Sequence, residues 1–193
     1  YKFTPEPITL ETFKNAKKMK SDWLKLIKDF NINFAPSSLT FRAELNRNYL
    51  RTLYRNSDLT TDGVAPNYEK VFNFNRIYGL KWNLTKTLSF DYSALVHSVV
   101  DEPDGEVTEA SKEVILNNLK DFGRMKNLDQ KAGANLKLPL DKLPITDWMN
   151  ADVRYATQYK WTSASLGQID TLGNKIENAR TISSTGKFDL VKL

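Results

Sequence analysis

The chain is 193 residues long, 40% hydrophobic, 26% charged and 11% aromatic; its length suits a single domain, and its aromatic content argues against disorder. With no cysteine and one histidine, His97, a disulfide framework, a thiol nucleophile and a Cys- or His-rich zinc site are excluded. The net charge of +5 is too modest to name a partner, and no run approaches the roughly 18 apolar residues of a transmembrane helix, which leaves β-strand spans open.

Residues 1–38 read as a helical or irregular segment. Thr9 suits the cap of a helix over 10–20, and Ser21 that of a second, in which Trp23, Leu24, Ile27 and Phe30 share one stripe. Lys14, Lys17, Lys18 and Lys20 form a dense basic cluster, read as a solvated helix face. The start at Tyr1, without a methionine or a leader pattern, reads as a processed protein or a slice of a longer one.

At Leu39 the hydrophobic period becomes two, which places alternate residues on opposite faces of a sheet. Leu39, Phe41, Ala43 and Leu45 open the series, followed by Phe72, Phe74, Tyr78, Leu80, Trp82 and Leu84. Leu88, Phe90, Tyr92, Ala94 and Val96 come next, then Leu128, Ala132, Ala134, Leu136 and Leu138. Val153, Tyr155, Thr157, Tyr159 and Trp161 follow, and Phe188 and Leu190 close it. Antiparallel strands are expected at about 39–55, 70–84, 86–100, 127–138, 151–163 and 181–193. Their links alternate: tight around 83–87 and compact over 139–150, but long at 57–68, 101–126 and 164–180, with a helix-like stretch over 109–122. Short turns at one end and long loops at the other are the asymmetry of an up-and-down outer-membrane barrel.

Alternation alone suits a soluble antiparallel sandwich as well. Two features favour the membrane. Several strands alternate for ten or more residues, where soluble strands run about 5–6 and tilted spanning strands about 9–11. The second face also carries charge and amides along whole strands. Leu80, Trp82, Leu88, Phe90, Tyr92, Ala94, Leu136, Val153, Tyr155, Tyr159 and Trp161 are therefore expected to face lipid. Asp91, Lys131, Lys137, Asp152, Arg154, Lys160, Lys187 and Asp189 are expected to face a hydrated lumen. Trp82 and Trp148 would mark the periplasmic boundary, with Phe72, Phe74, Tyr159 and Trp161 at the outer one. Arg76 is the misfit: it falls on the apolar face, where its stem would have to reach the headgroups. Six strands cannot close a membrane barrel, for which about 8 is the minimum, and open edges do not persist in hydrocarbon. The expected fold is thus mainly all-β: part of a large transmembrane barrel, with an N-terminal helical segment over 1–38, strands over 39–193 and a helix in one external loop.

Sequence motifs for chemistry are missing. There is no Gly-rich phosphate loop, HExxH, GxSxG or CxxC, and His97 sits among polar alternates as a lumen or core residue. The acidic turn Asp101, Glu102, Asp104 and Glu106 lacks the spacing of an EF-hand and reads as a plain loop. The mixed signs of the polar face suit a wide conduit better than an ion filter. Neither an enzyme nor a cofactor, metal or nucleic-acid partner is expected. A porin, a nutrient transporter or a soluble β-rich binding module are the alternatives.

Particular runs carry a resemblance. Leu26, Lys28, Asp29 and Phe30 lead through Asn31, Ile32 and Asn33 to Pro36, Ser37 and Ser38, and then to Asn46, Arg47, Asn48 and Tyr49. These, with WNLTKTLSFDYSA (82–94), DEPDG (101–105), LPLDKLPITDW (138–148), RYATQYKW (154–161) and LGNKIENARTISSTGKF (172–188), resemble the SprA/Sov family of Bacteroidota outer-membrane proteins. The likeness runs from about residue 23 to the end. It implies a piece of a very large single-chain barrel, the translocon of the type IX secretion system, which exports folded cargo such as gliding adhesins and proteases. It also implies a PorV-type barrel and a periplasmic plug protein as partners, outer-membrane lipid around the wall, and no enzymatic step. No functional residue of the family transfers to a position here.

Overall fold

The computed structural model describes residues 1–11, 31–55, 64–143, 145–165, 167, 173–189 and 191, and among these the chain is mostly strand, in one antiparallel sheet with one α-helix. The strands are β1 (Lys2–Phe3), β2 (Thr9–Leu10), β3 (Ile32–Asn33), β4 (Ser38–Thr52), β5 (Asn67–Asn83), β6 (Leu88–Val99), β7 (Arg124–Leu138), β8 (Met149–Thr162) and β9 (Lys175–Phe188). The helix α1 (Glu109–Lys120) joins β6 to β7, and a 3-10 turn (Leu140–Lys142) follows β7. The main sheet runs β1-β4-β5-β6-β7-β8-β9, so from β4 onward every strand pairs with its neighbour in sequence; β2 and β3 form a separate ladder.

From β4 to β9 the strands are 12 to 17 residues long, two to three times the common strand. The tightest connection, 84–87, is closed by the Thr85 hydroxyl, which accepts from the backbone N–H of Thr87 at 3.1 Å and of Leu88 at 2.8 Å. A bulge between His97 and Ser98 shifts the β6–β7 register at the long-loop end. Helix α1 starts at Thr108, whose hydroxyl accepts from the Ser111 N–H at 3.2 Å, and Glu109 and Lys120 complement its dipole. It ends where Phe122 and Gly123 both take positive φ, 64° and 67°.

The expected strand positions hold for β4 to β8, with ends shifted by a few residues. The last strand does not. It spans Lys175–Phe188 rather than 181–193, because its first half has little apolar alternation to announce it; Leu190 lies outside the described residues. At the other end, Thr9 and Leu10 pair with Asn33 and Ile32 instead of opening a helix. The remainder of both expected N-terminal helices lies outside the described residues.

Very little of this sheet is buried. Among the described residues the buried apolar side chains are Phe72, Phe74, Ala94, Val96, Val100 and Ile115. The surface area is 14309 Å², whereas a monomeric globule of 22.1 kDa would expose about 9,300 Å². The sheet is neither folded onto a second layer nor closed on itself, so both faces are open along most of their length.

Candidate functional site

Directly paired residues point to the same side of a sheet, so the register sorts every side chain. One row reads Leu39, Leu80, Tyr92, Ala132, Thr157 and Arg180 across six strands. Its neighbours read Trp82, Phe90, Ala134, Tyr155 and Ile182 on one side, and Phe41, Tyr78, Ala94, Gln130, Tyr159 and Asn178 on the other. All the residues expected to face lipid (Leu80, Trp82, Leu88, Phe90, Tyr92, Ala94, Leu136, Val153, Tyr155, Tyr159 and Trp161) share this face. Much of it is uncovered: Leu45 is 55% exposed, Tyr155 41% and Ile182 64%.

The opposite face collects Asp91, Lys131, Lys137, Asp152, Arg154, Lys160 and Lys187. Asp189 falls past the end of β9, where its N–H donates to the Trp148 carbonyl at 2.8 Å and its carboxylate accepts from the Val191 N–H at 3.3 Å. Charge on this face alternates across strands: Lys81 lies opposite Asp91, Lys137 opposite Asp152, and Lys160 between Asp129 and Glu177. Lys175 pairs with Glu177 at 2.9 Å, and the Gln158 amide donates to Asp129 at 2.8 and 3.1 Å. A Cβ at Gly133 would meet the Asp91 carboxylate at 2.8 Å, so glycine is what lets that side chain lie flat on the sheet. The trough there, about 280 Å³, is lined by Asp91, Lys131, Arg154, Gln158 and Thr181. His97 belongs to the same face, its Nδ1 sharing a 2.6 Å hydrogen bond with Asn75 Oδ1. Among the described residues no group of His, Asp and Glu is placed to hold a metal.

At the long-loop end the apolar face is roofed by the chain itself. Ile115 and Leu119 of α1 pack on Phe72, Phe74 and Val100. The preceding acidic turn is strapped down by cations. Arg47 donates to both carboxylate oxygens of Glu102, at 2.6 and 2.7 Å, and the Glu102 side chain is only 2% exposed. Lys70 donates to the Pro103 carbonyl at 2.6 Å, and Arg51 lies 3.6 Å from Glu106. Arg124 donates two 2.7 Å bonds to Asp101 and thereby holds that carboxyl below its ordinary range, against the opposing effect of burial. The acidic turn is thus a loop, as read from sequence, but an anchored one.

Two expectations are corrected here. Phe72 and Phe74 lie beneath α1 rather than in an open outer aromatic belt, because the long loop folds back across them. Arg76 does not reach outward. Its guanidinium donates to the Ser98 hydroxyl at 2.9 Å and sits over the rings of Phe74 and Phe122, 5.3 and 5.0 Å from their centroids, with Nε buried and unbonded. Phe122 in turn stacks on Phe74 at 6.3 Å.

The turn end is tied differently. Trp82 Nε1 donates to the Asn33 carbonyl at 2.9 Å, the Asn33 N–H to the Leu84 carbonyl at 2.8 Å, and the Lys86 N–H to the buried Asn31 side chain at 3.1 Å. No described helix is long and apolar enough to cross a membrane. Neither a family model nor a curated protein matches the chain. What sequence reading missed is the first half of β9: on the face it shares with Tyr155 and Trp161 that half carries Asn178 and Arg180, so only its cross-strand register reveals the side.

Proposed function

We propose that this chain is part of the wall of a bacterial outer-membrane β-barrel that conducts folded proteins to the cell surface. The observation that carries the reading is a single sheet of long strands whose largely apolar face is uncovered away from α1 while the other face is charged. Such a face in water is a large aggregation surface; against acyl chains it is ordinary. On β7 the apolar alternates run from Leu128 to Leu138, about 33 Å along the strand and about 25 Å in height after a tilt of roughly 40°. That height is the apolar band of a transmembrane barrel. Strand edges left open at β9 and along most of β4 suit a segment whose neighbours complete the closure.

The choice of protein export over solute uptake rests on the resemblance to the SprA/Sov translocon. It brings with it cargo proteins, a PorV-type barrel and a periplasmic plug protein as partners, and type IX secretion and gliding as the setting. The mixed signs of the charged face, with Lys81 opposite Asp91 and Lys137 opposite Asp152, support a broad aqueous passage over a selective filter. In this reading the chain has no catalytic step and no cofactor.

The test is a matched pair in the parent protein. Phe90→Asp places a charge on the apolar face and is expected to abolish or severely reduce outer-membrane assembly; its neighbour Asp91→Asn is expected to assemble normally. Equal behaviour of the two overturns the face assignment. If assembly holds but cargo export is unaffected by deleting the parent barrel, the export role fails while the wall survives.

A further inference from the structure

A cavity of about 460 Å³ opens at the short-turn end, between Asn31 and Asn33 on one side and the charged face of β5, β6 and β7 on the other. Its lining is carboxamide, hydroxyl and ammonium, with Leu88 the one apolar side chain and no carboxylate. Part of that polarity is already spent. The Thr85 hydroxyl closes the turn and meets that of Thr87 at 3.1 Å, the Asn33 amide donates to the Asn83 carbonyl at 3.1 Å, and Lys86 Nζ reaches Glu11 at 3.0 Å. Four donors remain. Asn31 is only 4% exposed; its Oδ1 accepts from the Lys86 N–H at 3.1 Å, while its Nδ2 donates to no described residue. The Asn83 carboxamide, the Ser89 hydroxyl and the Lys137 ammonium also have no side-chain partner among the described residues. Lys137 lies opposite Asp152 in the ladder but makes no ion pair with it, and Asp152 is not part of the lining.

A donor left unmade on a nearly buried side chain is unfavourable until an acceptor enters. Here several donors and one uncompensated cation line the same space, and no carboxylate in the lining repels a negative group. That combination selects an acceptor carrying negative charge, whose hydrogen bonds to ammonium and amide are the stronger, charge-assisted kind. We propose that this cavity is an oxyanion site, taking a carboxylate or phosphate group held by Lys137 and the Asn31 carboxamide, with Asn83 and Ser89 as further donors. Because Asn31 belongs to the N-terminal segment and Lys137 to β7, a bound oxyanion ties that segment to the sheet. The inference goes beyond the wall reading and holds whichever face meets lipid.

Hydrogen exchange reads the tie directly, because the Lys86 N–H ends on Asn31 and the Asn33 N–H on the Leu84 carbonyl at 2.8 Å. Inorganic phosphate and acetate are titrated separately into the purified parent protein, at constant ionic strength held with chloride. Exchange is followed at 31–34 and 84–89, with β8 as the internal control. A bound ion slows opening in proportion to 1 + [L]/Kd, about tenfold at roughly ten times Kd. Slowing by phosphate alone assigns a phosphate-bearing ligand, by acetate alone a carboxylate-bearing one, and by both a site that takes either. Asn31→Asp keeps an oxygen for the Lys86 N–H but replaces the free donor with an acceptor. It is expected to leave ion-free exchange unchanged and to abolish the slowing. Lys137→Gln, at an exposed position, is expected to abolish it too, and Lys137→Arg to retain it. If Asn31→Asp loosens the segment before any ion is added, the Lys137 pair decides. No slowing by either ion overturns the proposal. So does slowing that survives Lys137→Gln, or that spreads equally to β8 as a general salt effect would.

Discussion

Arg76 shows how one side chain can break a pattern without breaking the fold. From the alternation alone it is a cation on a greasy face, and that anomaly was plain in the sequence. Its resolution was not, because the ring that covers it, Phe122, arrives from the far end of a helix and does so in a left-handed conformation. Positive φ at a bulky residue is costly, so the stacking of Phe122 on Phe74 and Arg76 must hold it there. Phe122→Ala keeps the backbone cost and loses the ring. Hydrogen exchange across 109–122 is expected to accelerate roughly tenfold, equivalent to about 1–2 kcal/mol. The strap at Asp101 has its own signature. A carboxyl depressed by its partner stabilises the folded state above the unfolded value, about 3.9, and that contribution fades as pH falls through the lower folded value. Exchange protection in 100–108 should therefore be flat from neutral pH down to about 4 and drop below it, and Arg124→Gln should remove the acid transition.

Elements were legible where chemistry repeats and illegible where it does not. Strands β5 to β8 announce themselves because one face collects apolar side chains and the other polar ones, so period two is written in hydrophobicity. In β9 the face shared with Tyr155 alternates Asn178, Arg180, Ile182 and Ser184, too mixed to carry a period, and only pairing with β8 fixes where the strand starts. The two-residue strands β1, β2 and β3 carry no period at all. Helix α1 was visible, but not that it folds down over Phe72 and Phe74, since the ion pairs of Arg47 and Glu102 that fix the descent are long-range. Two substitutions probe that docking. Thr108→Ala removes the cap and is expected to cost α1 about 1 kcal/mol. Ile115→Ala empties the contact with the sheet and is expected to cost about 2–5 kcal/mol, which should detach the helix without altering strand protection in β7 or β8.

The described residues bury only a small apolar cluster beneath α1, and that governs how the molecule should behave alone. Expressed by itself, the 193-residue chain is expected to precipitate or self-associate in aqueous buffer and to recover β circular dichroism only in detergent or lipid. A monodisperse, cooperatively melting monomer in plain buffer would contradict the open sheet. The four-residue connection over 84–87 has a further consequence. Because side chains swap sides with every step, one extra amino acid that passed into β6 instead of enlarging the turn would invert everything downstream, like a garment sewn on inside out. Two extra would not. Length changes there should be survivable by twos, whereas the broad excursions at the opposite rim can absorb any number.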